Sequence, residues 1–187
     1  MEIKPNNINE IKSIIKNSKS KSIIPRGSGR SYGDSAQLKN KKVIDLSNFK
    51  KIKINHKSKT IRAEAGVTFD EIIKYIIPKG YFLPVTPGTR NLTLGGAIAS
   101  DVHGKNHCFK GSFGNYVKAI KLIDGNGDLQ ILKNDKSNAE IKKKFWATVG
   151  GMGLTGVIIE ATISLINIDN SYMKIKTVSF KSLNEIL

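Results

Sequence analysis

At 187 residues with a single cysteine, the chain can form one sizeable domain or two small lobes sharing a core, and it can close neither an internal disulfide nor a cysteine-based zinc cage. The formal charge of +16 does not read as nucleic-acid binding: of 31 basic residues only Arg26, Arg30, Arg62 and Arg90 are arginine, no basic run is interleaved with aromatics, and the lysines read as a solvated surface. No apolar run approaches the roughly 20 residues of a membrane span and the N-terminus MEIKPNNINE has no signal-peptide pattern, so a soluble, cytoplasmic protein is expected.

The first element is predicted as a helix over residues 8–17, where Asn7 can cap, Glu10 follows three positions on, and Ile8, Ile11, Ile14 and Ile15 share a face. Short strands are expected over 21–24 and 42–46, with the small-residue loop PRGSGRSYGDSA, 25–36, between them. From Lys51 the pattern turns to period two. Ile52 and Ile54, then Ile61, Ala63 and Ala65, alternate with polar residues around a lysine and serine turn, which predicts a hairpin with His56 at its solvated tip. Thr68 and Glu71 make a capping box for a helix through FDEIIKYIIP, which Pro78 and Gly80 end, and 81–85 reads as a strand.

That strand leads into residues 84–114, the stretch around which the chain is organised. Glycine is favoured where backbone takes positive φ or comes close to a ligand, and Gly88, Gly95, Gly96 and Gly104 recur too often for turns alone. Within it LTLGGAIAS predicts a short helix of small residues, able to lie against a ligand. Beyond it, 115–124 and 128–132 form a hairpin around GNG. Residues 137–149 form a helix opened by a Ser137 and Glu140 capping box, with Ile141, Phe145 and Trp146 facing inward, and Gly156 leads into the strand VIIEATISLINI. A last strand is expected over 172–180. Ser182 and Glu185 read as the capping box of a helix that starts where the sequence stops, so the chain is expected to be a piece of a longer protein.

Several motifs fail on inspection. GMGLTG at 151–156 matches a dinucleotide fingerprint as a string, but a helix precedes it and a β-branched strand follows, so its glycines are expected to end the helix in a close turn. HGKN at His103 lacks the first P-loop glycine, since position 99 is Ala99, and Asn106 stands where Ser or Thr is required. His103 and His107 are four apart, yet Gly104 interrupts any helix between them, so no metal site is expected. Cys108 reads as a small loop residue, and there is no GxSxG elbow. What survives is recognition of a nucleotide-like anion by backbone N–H groups of two glycine-rich loops, assisted by Arg26, Arg30, Ser28 and Ser31.

Taken together, RGSGRSYGDSA, PGTRNLTLGGAIASDVHGKNH, GSFG and FWATVGGMGLTGVI resemble the PCMH-type FAD-binding domain of the vanillyl-alcohol-oxidase flavoproteins, most of all the branch acting on decaprenylphosphoryl-ribose. The resemblance implies an α+β (α/β) fold in two lobes, a small α/β lobe over 1–58 and a larger lobe of mainly antiparallel strands flanked by helices over 59–169, with 170–187 opening a substrate domain. It also implies that Arg26, Gly27, Ser28, Gly29, Arg30, Ser31, Tyr32, Gly33, Asp34 and Ser35 hold the FAD pyrophosphate. Gly88, Thr93, Gly95, Gly96, Ser100, Asp101, His103 and Ile158 would line the rest of the cofactor.

Where many covalently flavinylated relatives carry histidine this chain has Arg30, so the FAD is expected to be non-covalent. The implied reaction is oxidation of a secondary alcohol on a polyprenyl-phosphate sugar by hydride transfer to flavin N5, with a short-chain reductase as partner, no transmembrane segment, and peripheral contact with a membrane allowed. Tyr32, His103 and Lys105 match positions near the flavin, while the main catalytic base is expected beyond Leu187. The alternatives are an aldonolactone or alditol oxidase using oxygen and a non-catalytic flavin-binding or nucleotide-binding module.

Overall fold

The computed structural model describes residues 1–18, 22–135 and 138–186. The chain begins with β1 (Glu2–Ile3), α1 (Ile8–Lys16), β2 (Ile23–Arg26) and β3 (Lys42–Asp45), whose strands form a parallel sheet in the order β1-β3-β2. The Asn7 side chain accepts the Glu10 N–H at 3.0 Å and the Glu10 carboxylate accepts the Asn6 N–H at 2.8 Å, so α1 starts where its cap predicts and buries Ile11 and Ile15. β1 is too short to show a period and was not expected; it pairs Glu2 with Val43 and Ile3 with Ile44. β2 runs to Arg26, two residues beyond the predicted 21–24, and Lys21 lies outside the described residues. Its Pro25 is tolerated because β2 is an edge strand.

The rest of the fold is built on a second sheet. In chain order come β4 (Ile52–Asn55), β5 (Thr60–Glu64), α2 (Phe69–Ile76), β6 (Tyr81–Phe82), α3 (Leu94–Ala99), α4 (His107–Lys110), β7 (Val117–Ile123), β8 (Leu129–Lys133), α5 (Ala139–Thr148), β9 (Val157–Ser164) and β10 (Ile166–Asn167). β4-β5-β9-β7-β8 is a five-stranded antiparallel sheet. The inward rows of the hairpin, Ile52 with Ala63 and Ile54 with Ile61, continue onto Ala161 and Ile163 of β9. α3 packs on β5 and β9, and α5 on β8. Phe69, Phe113 and Phe145 are fully buried, and the Phe69 and Phe113 rings meet at 5.2 Å, joining α2 to the end of the second glycine-rich stretch.

Five expectations need correction. The strand predicted over 81–85 is only Tyr81–Phe82, because its partner β10 offers two residues to pair with. Trp146 does not face inward: it is 36% exposed and donates its indole N–H to Asn134 Oδ1 at 3.2 Å, while Phe145 takes the core position. Neighbouring helix residues point about 100° apart, and on α5 it is Phe145 that points into the core and Trp146 that lies at its edge. α5 is capped by Asn138, whose side chain accepts the Ile141 N–H at 3.0 Å; the predicted cap, Ser137, lies outside the described residues. Residues 172–180 form no strand. Their apolar side chains, Tyr172, Met173, Ile175, Val178 and Phe180, are exposed, and a strand without a neighbour leaves its backbone groups to water. Ser182 makes no side-chain cap, and Leu183–Glu185 is a 3₁₀ turn in which Glu185 instead accepts the Lys181 N–H at 3.0 Å.

Candidate functional site

A cavity of about 920 Å³ opens between the two glycine-rich stretches, with the 151–156 turn and the start of β9 completing its wall. Its first side is the loop leaving β2. A Cβ on Gly27 would fall 2.0 Å from Thr93 Oγ1, so only glycine lets the loop lie on the hydroxyl that caps α3. The Ser28 hydroxyl donates to the Asn91 carbonyl at 2.7 Å, a second tie between the loops. Gly29 takes φ 62° beneath the Arg26 guanidinium, which also faces Glu2 at 3.8 Å. Arg30, Ser31 and Ser35 line the cavity from exposed positions, and Tyr32 lines it while 99% exposed, which puts it at the mouth.

The second side is more deeply built in. Thr93 Oγ1 accepts the Gly96 N–H at 3.3 Å to start α3, and the Gly95 N–H donates to the Ala65 carbonyl at 2.9 Å. A Cβ on Gly95 would lie 2.9 Å from the Ala65 Cβ, so glycine is what lets α3 rest on the chain leaving β5. Gly88 faces open space, and Ser100, Asp101 and His103 follow α3 along the wall.

Of the site residues expected from the sequence, Arg26, Gly27, Ser28, Gly29, Arg30, Ser31, Tyr32, Ser35, Gly88, Thr93, Gly95, Gly96, Ser100, Asp101, His103 and Ile158 all line this one cavity. Gly33, Asp34 and Lys105 do not. Gly33 has φ 59° and sits in the turn that the Ser35 hydroxyl closes by donating to the Tyr32 carbonyl at 2.8 Å, while the Asp34 carbonyl accepts the Gln37 N–H; the pair shape the loop from behind. Lys105 is exposed on the loop beyond His103.

Sequence reasoning missed Met152, Gly153 and Gly156 as wall residues. GMGLTG does end α5 in a close turn, with Gly153 against Pro25 and the Met152 N–H donating to the Ala99 carbonyl at 2.8 Å, but the same turn faces the cavity. Its glycine density was the available signal.

The wall is cationic. It carries Arg26 and Arg30 against one acid, Asp101, whose Oδ1 accepts the Gly114 N–H at 2.8 Å. Behind it Asp45 steadies the end of β3. Burial pushes its carboxyl up, but hydrogen bonds from Ser47 and from Lys4, at 3.0 Å, outweigh this and hold it below the usual carboxylate range. Glu71 of the α2 capping box behaves alike: burial raises it, and Lys50 with the Thr68 N–H and hydroxyl bring it down further.

Residues 1–133 match the family model described as FAD binding domain. The chain belongs to the FAD-binding domain family. It is 44% identical over 151 residues, 80% of its length, to a decaprenylphosphoryl-beta-D-ribose oxidase of Mycolicibacterium smegmatis. It is 24% identical over 188 residues, 97% of its length, to a D-arabinono-1,4-lactone oxidase of Candida glabrata, and 30% identical over 111 residues, 58% of its length, to a D-2-hydroxyglutarate dehydrogenase of Haemophilus influenzae. The chain spans 32%, 35% and 11% of these relatives. No helix among the described residues is long and apolar enough to cross a membrane.

The cavity fits the family's cofactor, FAD. Its volume lies within the roughly 300–1,000 Å³ of cofactor pockets. Two arginines and the hydroxyls of Ser28, Ser31, Ser35 and Ser100 suit a diphosphate and a polyol, while Leu46, Ala65, Leu92, Val102 and Ile158 offer apolar wall to a ring system.

Proposed function

We propose that this chain is the cofactor-holding part of an FAD-dependent oxidoreductase that oxidises a secondary alcohol of a sugar, with the 2'-hydroxyl of decaprenylphosphoryl-ribose or a related polyprenyl-phosphate sugar as substrate. The observation that carries the reading is that both glycine-rich stretches line one cavity, in a chain 44% identical to an oxidase of that sugar. Residues 1–58 and 59–169 are read as the two lobes of the FAD site and 170–187 as the start of a substrate domain; a parallel sheet ending at Asp45 and an antiparallel one from Ile52 to Ser164 support two lobes, with the change of sheet between Asp45 and Ile52, ahead of that boundary.

In this reading bound flavin supplies the hydride acceptor. Arg26, Arg30 and the hydroxyls of the 26–35 loop neutralise and orient the diphosphate, and the fit of Gly27 on Thr93 sets the loop's distance from α3. His103, exposed on the wall away from the 26–35 loop, is read as holding the flavin end of the cofactor, and His103 with Tyr32, at the mouth, can hold a substrate hydroxyl. Lys105, two residues beyond His103, lies outside the cavity wall and is assigned no contact with the cofactor. Arg30 cannot form a histidyl-flavin link, so the FAD is dissociable. The whole protein acts in the cytoplasm beside a short-chain reductase that consumes the keto sugar, with peripheral access to a lipid-borne substrate.

The first test is the visible spectrum of the purified chain before and after FAD addition and desalting. A retained flavin band is expected, and heat denaturation should release the yellow colour into the filtrate. Colour staying with the precipitate would overturn the non-covalent reading. Anaerobic bleaching of the full-length polypeptide by a polyprenyl-phosphate pentose is expected; bleaching only by aldonolactones, with peroxide formed in air, would move the assignment to a lactone oxidase such as the one matched along 97% of this chain.

A further inference from the structure

We infer that Asp101 is a positioning residue whose carboxylate clamps the base of the 103–112 loop and thereby fixes His103 on the cavity wall; the inference rests on the FAD-site reading above. Asp101 follows α3 and its C-cap Ser100 and has φ 40°, a left-handed conformation that side chains other than Asn and Asp rarely adopt. Its Oδ1 accepts the Gly114 N–H at 2.8 Å across the neck of the loop. A Cβ on Gly114 would lie 2.8 Å from that same oxygen and 2.4 Å from Val149 Cγ1, so the clamp closes only on glycine.

The neck is completed by the Phe113 N–H donating to the Val102 carbonyl at 2.8 Å and by the bridge between His103 and Ser112. Phe113 is fully buried, so the outgoing end of the loop is held by the core. The incoming end, Val102 and His103, is half-buried and then exposed; the Val102 N–H donates to the Ala97 carbonyl at 3.1 Å, and a side-chain tie across the neck is the further fixed point. Asp101 supplies it. At the far side the loop is tied down by the Asn106 amide donating to the Pro84 carbonyl at 3.1 Å and the Tyr116 hydroxyl donating to the Lys110 carbonyl at 3.0 Å, and the His107 ring meets the His103 ring edge-on at 5.2 Å, so the direction of His103 is set by the neck together with that ring contact.

An acid on the wall of a cavity that takes a diphosphate opposes binding by its charge. A short acceptor able to sit in the left-handed region explains its presence better than any contact with an anion. Asparagine would serve the clamp as well, because its amide oxygen also accepts and it tolerates the same φ.

The experiment compares wild type with Asp101→Ala, Asp101→Gly and Asp101→Asn in the same chain, reading amide hydrogen exchange at Gly114, FAD affinity by fluorescence titration and ADP affinity by calorimetry. The alanine and glycine variants are expected to lose protection at Gly114 and to weaken FAD by about tenfold, the loss of one hydrogen bond to a charged acceptor. ADP, which uses the 26–35 loop and not His103, should change less than about twofold on the same grounds. Asp101→Asn should restore both protection and FAD affinity. Equal losses for FAD and ADP would mean a merely structural residue and overturn the inference. So would an Asp101→Gly variant that binds FAD like wild type, which would leave only backbone conformation at work, or an Asp101→Asn variant that fails like alanine. A wild-type chain that binds neither ligand brings down the FAD-site reading and with it the positioning role, and protection at Gly114 reports separately whether the clamp itself exists.

Discussion

The two glycine-rich stretches bound one cavity but are held by different means. Residues 84–114 are fastened to the core: Leu94, Ala97, Ile98 and Phe113 are fully buried, α3 is capped by Thr93, and Gly95 rests on Ala65. Residues 28–35 are exposed throughout and are tied to the second stretch by the seat of Gly27 on Thr93 and the hydrogen bond from Ser28 to Asn91. One wall is therefore preformed by the core. The other depends on two small contacts, and a segment with few buried apolar contacts opens at low free-energy cost. Damage to the first wall should register as lost stability, and damage to the second as lost cofactor.

The largest effect is expected from Phe113→Ala, which empties a fully buried ring site against Phe69 and should cost about 3–5 kcal/mol in denaturant unfolding. A loss under about 1 kcal/mol would break the claim that this wall is part of the core. Gly27→Val places carbon where Thr93 Oγ1 sits, so FAD titration should show binding abolished while the midpoint of thermal unfolding changes little. Equal collapse of both readouts would erase the distinction between the walls. Thr93→Ala touches both walls at once, because its hydroxyl caps α3 and carries Gly27; about 1 kcal/mol of stability should go with the cap, together with weaker FAD binding. Ser28→Ala should leave unfolding unchanged and weaken FAD a few-fold, the scale of one exposed hydrogen bond.

Acid sharpens the comparison in a second way. Asp45 and Glu71 both titrate below their ordinary values in the folded chain, so the stability they contribute is fully present above the normal carboxylate range and is lost as pH falls through their lowered folded values. Lys4→Ala removes the Asp45 partner near the base of the exposed loop, and Lys50→Ala removes the Glu71 partner at the start of α2. Each should shift the acid unfolding midpoint modestly upward. No shift in either variant would show that Ser47 and Thr68 alone hold these carboxylates.

Much of this site was legible because glycine, serine and arginine at these spacings have few other uses. The loops 25–36 and 84–114 are marked by composition, and the helix starts at Asn7 and Thr68 by capping chemistry that acts within a few residues, whereas the Thr93 cap of α3 is seen only in the structure. Motif likeness puts Lys105 at the site, and the structure sets it beyond the wall, exposed after a buried Gly104 that packs on the Thr86 backbone. The 151–156 turn reads from the sequence as a helix stop without its second role, because nothing local says that Gly153 meets Pro25 and faces the loop that follows it.

The sequence by itself determined most of the local elements, the two glycine-rich loops and the membership of the chain in a flavin-binding family, all of which rest on caps, periods and motifs spanning a few residues. Tertiary structure alone decided that three separated stretches share one cavity, that Asp101 closes on Gly114, that Trp146 yields the core to Phe145, and that 172–180 stays unpaired. Those outcomes depend on which backbone groups and side chains meet across long sequence separations, and no local propensity encodes such meetings.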